Sequence, residues 1–319
     1  ARMLRVGRSK GLRRAIELAT GKPFPEVLDA WKTELGKRHG NPVWPAEPGR
    51  AVGRIDPAST WISETNAVGD SSGRVWAVSS RANDYGVGSL WEFHGADARK
   101  LRSDVVGRLS YAPDKKRLTV LVEETGADRR ALRDLWTYAP DAAEWKRVTL
   151  RARVQDAGFH PKGFVAIVRR DGANLPVLLD EDGRPLSSLP APTDFDLVQI
   201  AADAQGTVVA TGMRRGGYRI LRLAGDGWVE VPGIASEARD PVFSHGRLWY
   251  SRLESGRWTA FSMDANGTES FEAGSEGGVF APWPLGDDSL LVSRFQPQGF
   301  VATKIARGIP QQVVAIPPV

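Results

Sequence analysis

From about residue 60 onward the chain repeats itself. A turn followed by a short apolar run recurs at Gly73-Arg74-Val75-Trp76-Ala77-Val78, Lys116-Arg117-Leu118-Thr119-Val120-Leu121, Gly163-Phe164-Val165-Ala166-Ile167, Gly206-Thr207-Val208-Val209-Ala210, Gly246-Arg247-Leu248-Trp249-Tyr250 and Asp288-Ser289-Leu290-Leu291-Val292. The anchors lie 43, 47, 43, 40 and 42 positions apart, which makes six units. A period this regular means that each unit is one supersecondary element unable to bury its apolar surface alone, so neighbours must stack and share a core. Runs this short, rich in β-branched and aromatic residues and broken by Gly, Asp, Asn and Pro, read as strands.

Each unit carries a second strand after a short turn: residues 89–93, 134–138, 175–179, 218–223, 257–263 and 300–305. An outer strand follows, as at 145–150, 228–231 and 311–316, and an inner strand precedes each anchor, most clearly at 197–201. Four short antiparallel strands per unit is the arithmetic of a propeller blade. The fold class expected is therefore all-β: a six-bladed β-propeller over residues 59–319, with blades at about 60–105, 106–150, 151–193, 194–233, 234–275 and 276–319. A two-sheet sandwich is the rival all-β fold, but its connections do not return at one constant period.

Residues 1–40 differ. Leu12, Ala15, Ile16 and Ala19 lie on one helical face before a Thr20-Gly21 stop, and Val27, Leu28, Trp31 and Leu35 form a second apolar stripe after Pro25. A short helical hairpin is expected, followed by a breaker-rich linker at 41–58. The charge divides at the same place. The whole chain carries +5, yet residues 1–50 carry +6 and the remainder −1. With 41% apolar and 25% charged residues the chain is neither disordered nor collagenous. No apolar run approaches membrane-spanning length and no charged-then-apolar leader opens the sequence, so no membrane span and no targeting signal are expected in it.

The strand-joining turns resemble those of the TolB-like, WD40-like propeller repeat, approximately Ser-Pro-Asp-Gly-Lys. Ala112-Pro113-Asp114-Lys115-Lys116 matches best, and His160-Pro161-Lys162-Gly163 and Ala202-Asp203-Ala204-Gln205-Gly206 match in part. Residues 8–38 look like the closing helices of peptidase-MA-like (gluzincin) domains, which precede such propellers in some secreted or envelope proteins. These resemblances imply a periplasmic, envelope or secreted bacterial protein, and a chain that is the C-terminal piece of a longer one.

Catalytic motifs are sparse. His39, His94, His160 and His245 are followed by Gly or Pro, so none opens a His-Glu-x-x-His zinc site, and all four read as surface turn residues. There is no cysteine. Gly69-Asp70-Ser71-Ser72-Gly73 fits a nucleophile elbow in letters only, because it joins two strands, and Ser9 in Gly7-Arg8-Ser9-Lys10-Gly11 reads as a helix cap. Asp180-Glu181-Asp182-Gly183 lacks the later ligands of a calcium loop, and Asn266-Gly267-Thr268 reads as a tight turn before a glycosylation site. No catalytic residue, cofactor or metal is expected.

Binding is the remaining class. The position seven residues before each anchor gives Asn66, Leu109, Asp156, Gln199, Arg239 and Ala281. The four polar members, Asn66, Asp156, Gln199 and Arg239, are expected to line a central channel, or simply to satisfy one another. Trp44 and Trp283, beside prolines, are expected to be exposed aromatic contacts, whereas Trp76, Trp91, Trp136, Trp249 and Trp258 pack between blades. Acidic residues interleave with the basic ones near the N-terminus and no aromatic series accompanies them, which argues against nucleic acid. The expected function is a non-catalytic scaffold binding a protein partner or ligand at the channel mouth, with an N-terminal domain or fragment of the same precursor as one such partner. Two alternatives are the accessory part of a zinc metallopeptidase-like protein and a glycan-active propeller enzyme using Asp156 or Asp240.

Overall fold

The structure, a computed structural model, describes residues 13–39, 50–51, 66–79, 87–95, 97–126, 130–234, 236–275, 277–296 and 299–308. It divides into two compact units, Pro48–Gln312 and a smaller one of Ala1–Glu47 with Val313–Val319. Among the described residues of the smaller unit are two helices, α1 (13–20) and α2 (Phe24–His39). Gly21 ends α1 in the left-handed region, at φ 70°, where its N–H donates to the Glu17 carbonyl. The Glu17 carboxylate accepts from the Phe24 N–H at 3.2 Å and so helps to start α2. Trp31 is exposed within this unit, although the helical stripe assigned it an inward position.

The larger unit is all β. Its first strand in the chain is β1 (Arg50–Ala51). One seven-stranded antiparallel sheet follows, made in order by β2 (Ala67–Gly69), β3 (Arg74–Ser79), β4 (Gly88–His94), β5 (Asp97–Ala112), β6 (Arg117–Thr125), β7 (Ala131–Ala139) and β8 (Glu144–Arg147). The next sheet has four strands, β9 (Val154–His160), β10 (Gly163–Arg170), β11 (Ala173–Leu179) and β12 (Pro185–Ser188). β13 (Asp196–Ala202), β14 (Val208–Arg214), β15 (Gly217–Ala224) and β16 (Gly227–Glu230) form another, and β17 (Ala238–Ser244), β18 (Arg247–Glu254), β19 (Arg257–Met263) and β20 (Glu269–Ala273) a third. The last joins β21 (Val279–Pro284), β22 (Ser289–Gln296) and β23 (Gly299–Ala306) to β1, so the two ends of the unit meet in one sheet. This is a β-propeller, an arrangement that leaves only short strand edges.

Three boundaries differ from the expectation. Residues 50 and 51 are a strand and not linker. The outer place beside β23 is taken by β1, while residues 311–316, expected there, lie outside the described residues. The expected break at 105/106 falls inside β5, a continuous strand of 16 residues. Asp104 and Gly107, both at positive φ, and a register shift against β6 between Val106 and Ser110 bend this strand without interrupting it.

One local device recurs in the hairpins. Asp70, Asp180, Asp203 and Asp264 each accept, through one carboxylate oxygen, the N–H groups two and four residues ahead. The residue three ahead is in every case a glycine at positive φ: Gly73, Gly183, Gly206 and Gly267. Asp-x-x-Gly is thus a turn in which the side chain replaces a backbone acceptor. The calcium-like and sequon-like stretches are two of its instances.

The core lies between successive sheets. Val165 and Ile167 of β10 pack with Leu197, Ile200 and Val208 of the following sheet. Trp249 and Ala260 pack with Val279, Leu290 and Val292 of the last. Trp76 and Val68 share a cluster with Trp283, Leu291 and Ala302, which ties the first sheet to the last. Full burial of one such side chain contributes about 1.5–3 kcal/mol, so the ring is held by many comparable seams.

Candidate functional site

Six strands, β2, β5, β9, β13, β17 and β21, touch one another in a closed cycle. Side chains stitch neighbours in this cycle together. The Asn66 amide donates to the Leu109 carbonyl at 2.7 Å and accepts the Leu109 N–H at 2.8 Å. The Ile200 N–H donates to Asp156 Oδ2 at 2.7 Å. Gln199 accepts the Asp240 N–H at 2.9 Å and donates to Asp240 Oδ1 at 2.6 Å. Asp240 Oδ2 in turn accepts the Ala281 N–H at 3.2 Å. Asn66 and Asp156 are buried, and none of Asn66, Asp156, Gln199 and Arg239 lines the cavity described below. Three of the four are therefore clamps between inner strands. Arg239 departs from the series: its guanidinium lies over the rings of Tyr218, Trp258 and Phe280 at 5.2–5.9 Å, and Asp240, one residue on, makes the clamp. The register shift between Arg239 and Val242 displaces the spacing by that residue.

The centre of the cycle is occupied by Arg108. From β5 its guanidinium donates to Asp156 Oδ2 on β9, to the Ile200 carbonyl on β13 and to the Pro241 carbonyl on β17, each at 3.1 Å. One side chain thus bridges four inner strands and blocks the axis at this level. Burial pushes the Asp156 carboxyl up from its ordinary value, while Arg108 and the Ile200 N–H oppose that shift. The sequence register singled out Leu109; the bulge beside Gly107 turns its neighbour Arg108 to the centre.

Arg108 forms part of the floor of a cavity of about 1030 Å³. The rim consists of the turns that follow β5, β9, β13 and β17, together with the hairpin at Asp264–Gly267. Phe159, Val242, Leu248, Met263 and Trp283 supply apolar wall; Lys115, Asp203 and Arg222 supply charge. Lys115 is paired with Glu181 at 2.5 Å. Such a recess offers both backbone polar groups and apolar surface to an entering chain.

Two expectations about side chains are corrected here. Trp283 is 3% exposed: its indole N–H donates to the Gly69 carbonyl at 2.8 Å and its ring meets Tyr111 edge-on. The prolines beside it are accommodated because β21 is an edge strand, where a missing N–H is tolerated. Trp44 lies outside the described residues. His160 is buried, not a surface turn residue; its Nδ1 accepts the Lys162 N–H at 3.1 Å, and burial, with Lys162 nearby, lowers its pKa. His94 and His245 are exposed. Among the described residues no group of three or more His, Asp or Glu could hold a metal ion, and no helix is long and apolar enough to cross a membrane.

No protein-family model and no curated protein sequence matches the chain. Solved structures do. TolB from Acinetobacter baumannii aligns with a TM-score of 0.51 at 15% identity, covering 75% of this chain and 64% of TolB. The β-propeller domain of the Trilobed protease from Pyrococcus furiosus aligns with a TM-score of 0.52 at 10% identity, covering 77% of this chain and 95% of that domain. The tricorn protease aligns at 0.50 and 18% identity, and the chain spans only 25% of its length. At these identities the likeness is one of fold: the chain shares the propeller fold of TolB and of protease propeller domains.

Proposed function

We propose that residues 59–319 form a six-bladed propeller that acts as a non-catalytic binding module, taking a segment of a protein partner into the 1030 Å³ cavity. The closed cycle of six inner strands supports the blade count, the seven-stranded sheet being two blades that share β5. The observation that carries the binding reading is the Arg108 bridge. With the axis blocked, the cavity is a recess open at one side, walled by turns from successive sheets, a shape suited to holding a chain end or loop. Helices α1 and α2 are the described part of the helical stub expected over residues 1–40, and the resemblance of the strand-joining turns to the TolB-like repeat supports placement in the bacterial envelope. The test is a photo-crosslinking amino acid at His245, on the exposed rim. It is expected to capture one protein, with the crosslink mapping to one segment, and Arg222→Glu is expected to reduce capture; equal capture from a probe at Lys100 sinks the reading.

A second reading makes the propeller the accessory part of a zinc metallopeptidase-like protein. It is favoured by the proteases among the structural neighbours and by the resemblance of residues 8–38 to peptidase-MA-like closing helices. A His-Glu-x-x-His encoded upstream in the intact gene, with peptide hydrolysis by the full-length product, would decide for it.

A further inference from the structure

A second cavity, of about 410 Å³, is lined by the loop 148–153, by the hairpin that follows β10 and by residues of β11 and the turn after it. Arg151, Arg153, Arg169 and Arg170 line it, and Asp171 is the one acidic residue in its wall. Among the described residues none of these four guanidinium groups has an ion pair, a side-chain hydrogen bond or a ring beneath it. The concentration of charge is local, because residues 51–319 sum to −1. Like charges gathered around a concave surface raise its potential and favour an anionic occupant.

The loop that presents two of them is built firmly. Asp134 is buried, and its carboxylate accepts the Arg151 N–H and the Ala152 N–H, both at 2.9 Å, besides bonds from Thr149 and Arg147. Burial alone would raise its pKa; these hydrogen bonds outweigh that and hold it below the ordinary aspartate value. Arg151 and Arg153 both sit in the left-handed region at φ 55°, and the Arg153 carbonyl accepts the Arg169 N–H at 3.0 Å, tying the loop to β10. The backbone that carries Arg151 and Arg153 is thus fixed before any ligand arrives, so binding has only the exposed arginine side chains to order.

We propose that this cavity binds an acidic peptide segment carrying an aliphatic residue among its carboxylates. The wall contains no aromatic ring on which a nucleobase could stack. It does contain Val168, Val177 and Leu179, and Leu150 at its edge is 71% exposed. Carboxylates for the arginines and an apolar side chain for this aliphatic surface describe a peptide. The test is fluorescence anisotropy of a labelled Glu-Glu-Leu-Glu-Glu peptide with the full chain at about 50 mM salt, where screening is weak. Saturable binding is expected, weakened at least about tenfold by Arg169→Glu with Arg170→Glu and less than about twofold by Lys100→Glu with Lys304→Glu, which changes net charge equally elsewhere. If the double reversal does not fold, Arg169→Gln with Arg170→Gln decides instead, with about a fivefold loss expected. Absence of saturable binding, equal weakening in both pairs of variants, or tighter binding of inorganic phosphate or a short oligonucleotide that depends on the same arginines would each overturn the proposal.

Discussion

The guanidinium of Arg108 and the carboxylate of Asp156 meet at 3.1 Å with almost no solvent around either group. Taking both from water is costly, and the pair is tolerated because each has further partners: the Ile200 N–H for Asp156, two carbonyls for Arg108. Removing either partner leaves a buried charge uncompensated. Asp156→Ala and Arg108→Leu are each expected to cost about 3 kcal/mol, and the double variant clearly less than the sum. Urea unfolding of the three proteins measures this; strict additivity would show that the two groups do not depend on each other.

Asn66 matches both polar groups of the Leu109 peptide, as another strand would. Asn66→Ala leaves a buried N–H and a buried carbonyl without partners, for an expected loss of about 2–3 kcal/mol. Asn66→Asp keeps an acceptor for the N–H but sets a second acceptor against the carbonyl, so it is expected to be no better than alanine near neutral pH. A midpoint of urea unfolding within experimental error of the parent for either variant would remove Asn66 from the clamps between inner strands.

Much of this architecture was legible in the sequence because propeller strands are short, alternate with turns and return at a near-constant interval. The same spacing drew attention to Asn66, Asp156 and Gln199, which do bridge inner strands. It missed Arg108 because a bulge shifts side-chain alternation by one residue, and periodicity alone does not locate a bulge. It misjudged Trp283 because flanking prolines suggest a loop, whereas an edge strand accepts them. The arginine-lined cavity was invisible for another reason. Its charges come from a loop and a strand end separated by some fifteen residues, and only folding brings them together.

His160 introduces a pH dependence. Its folded pKa lies below the ordinary 6.5, chiefly through burial, and Nδ1 is committed as an acceptor for the Lys162 N–H. The folded protein therefore binds fewer protons at this site than the unfolded chain, so the associated stability is present above pH 6.5 and is lost as pH falls toward the folded value. His160→Asn, which offers an oxygen near the Nδ1 position, is expected to flatten the stability profile below pH 6.5. Parallel profiles for parent and variant in thermal unfolding across that range would refute it.

The glycine anchors of the repeat are not equivalent, although the sequence presents them alike. At Gly163, φ is 133° and an added Cβ would fall 2.4 Å from the Leu179 carbonyl oxygen and 2.5 Å from the Asp180 carbonyl carbon. At Gly246, φ is 69° and nothing lies within 4 Å of that position. The matching anchor Lys116 holds φ 48° without being glycine. Gly246→Ala therefore meets only the left-handed backbone cost, about 1–2 kcal/mol, whereas Gly163→Ala must also displace backbone and is expected to lose well over 3 kcal/mol or to fail to fold. Lys116→Gly relieves the same backbone cost but gives the unfolded chain more freedom, so the two effects offset to within about 0.5 kcal/mol. Urea unfolding of the three variants ranks them, and an equal loss for Gly163→Ala and Gly246→Ala would mean that the crowding at Gly163 is relieved at no cost.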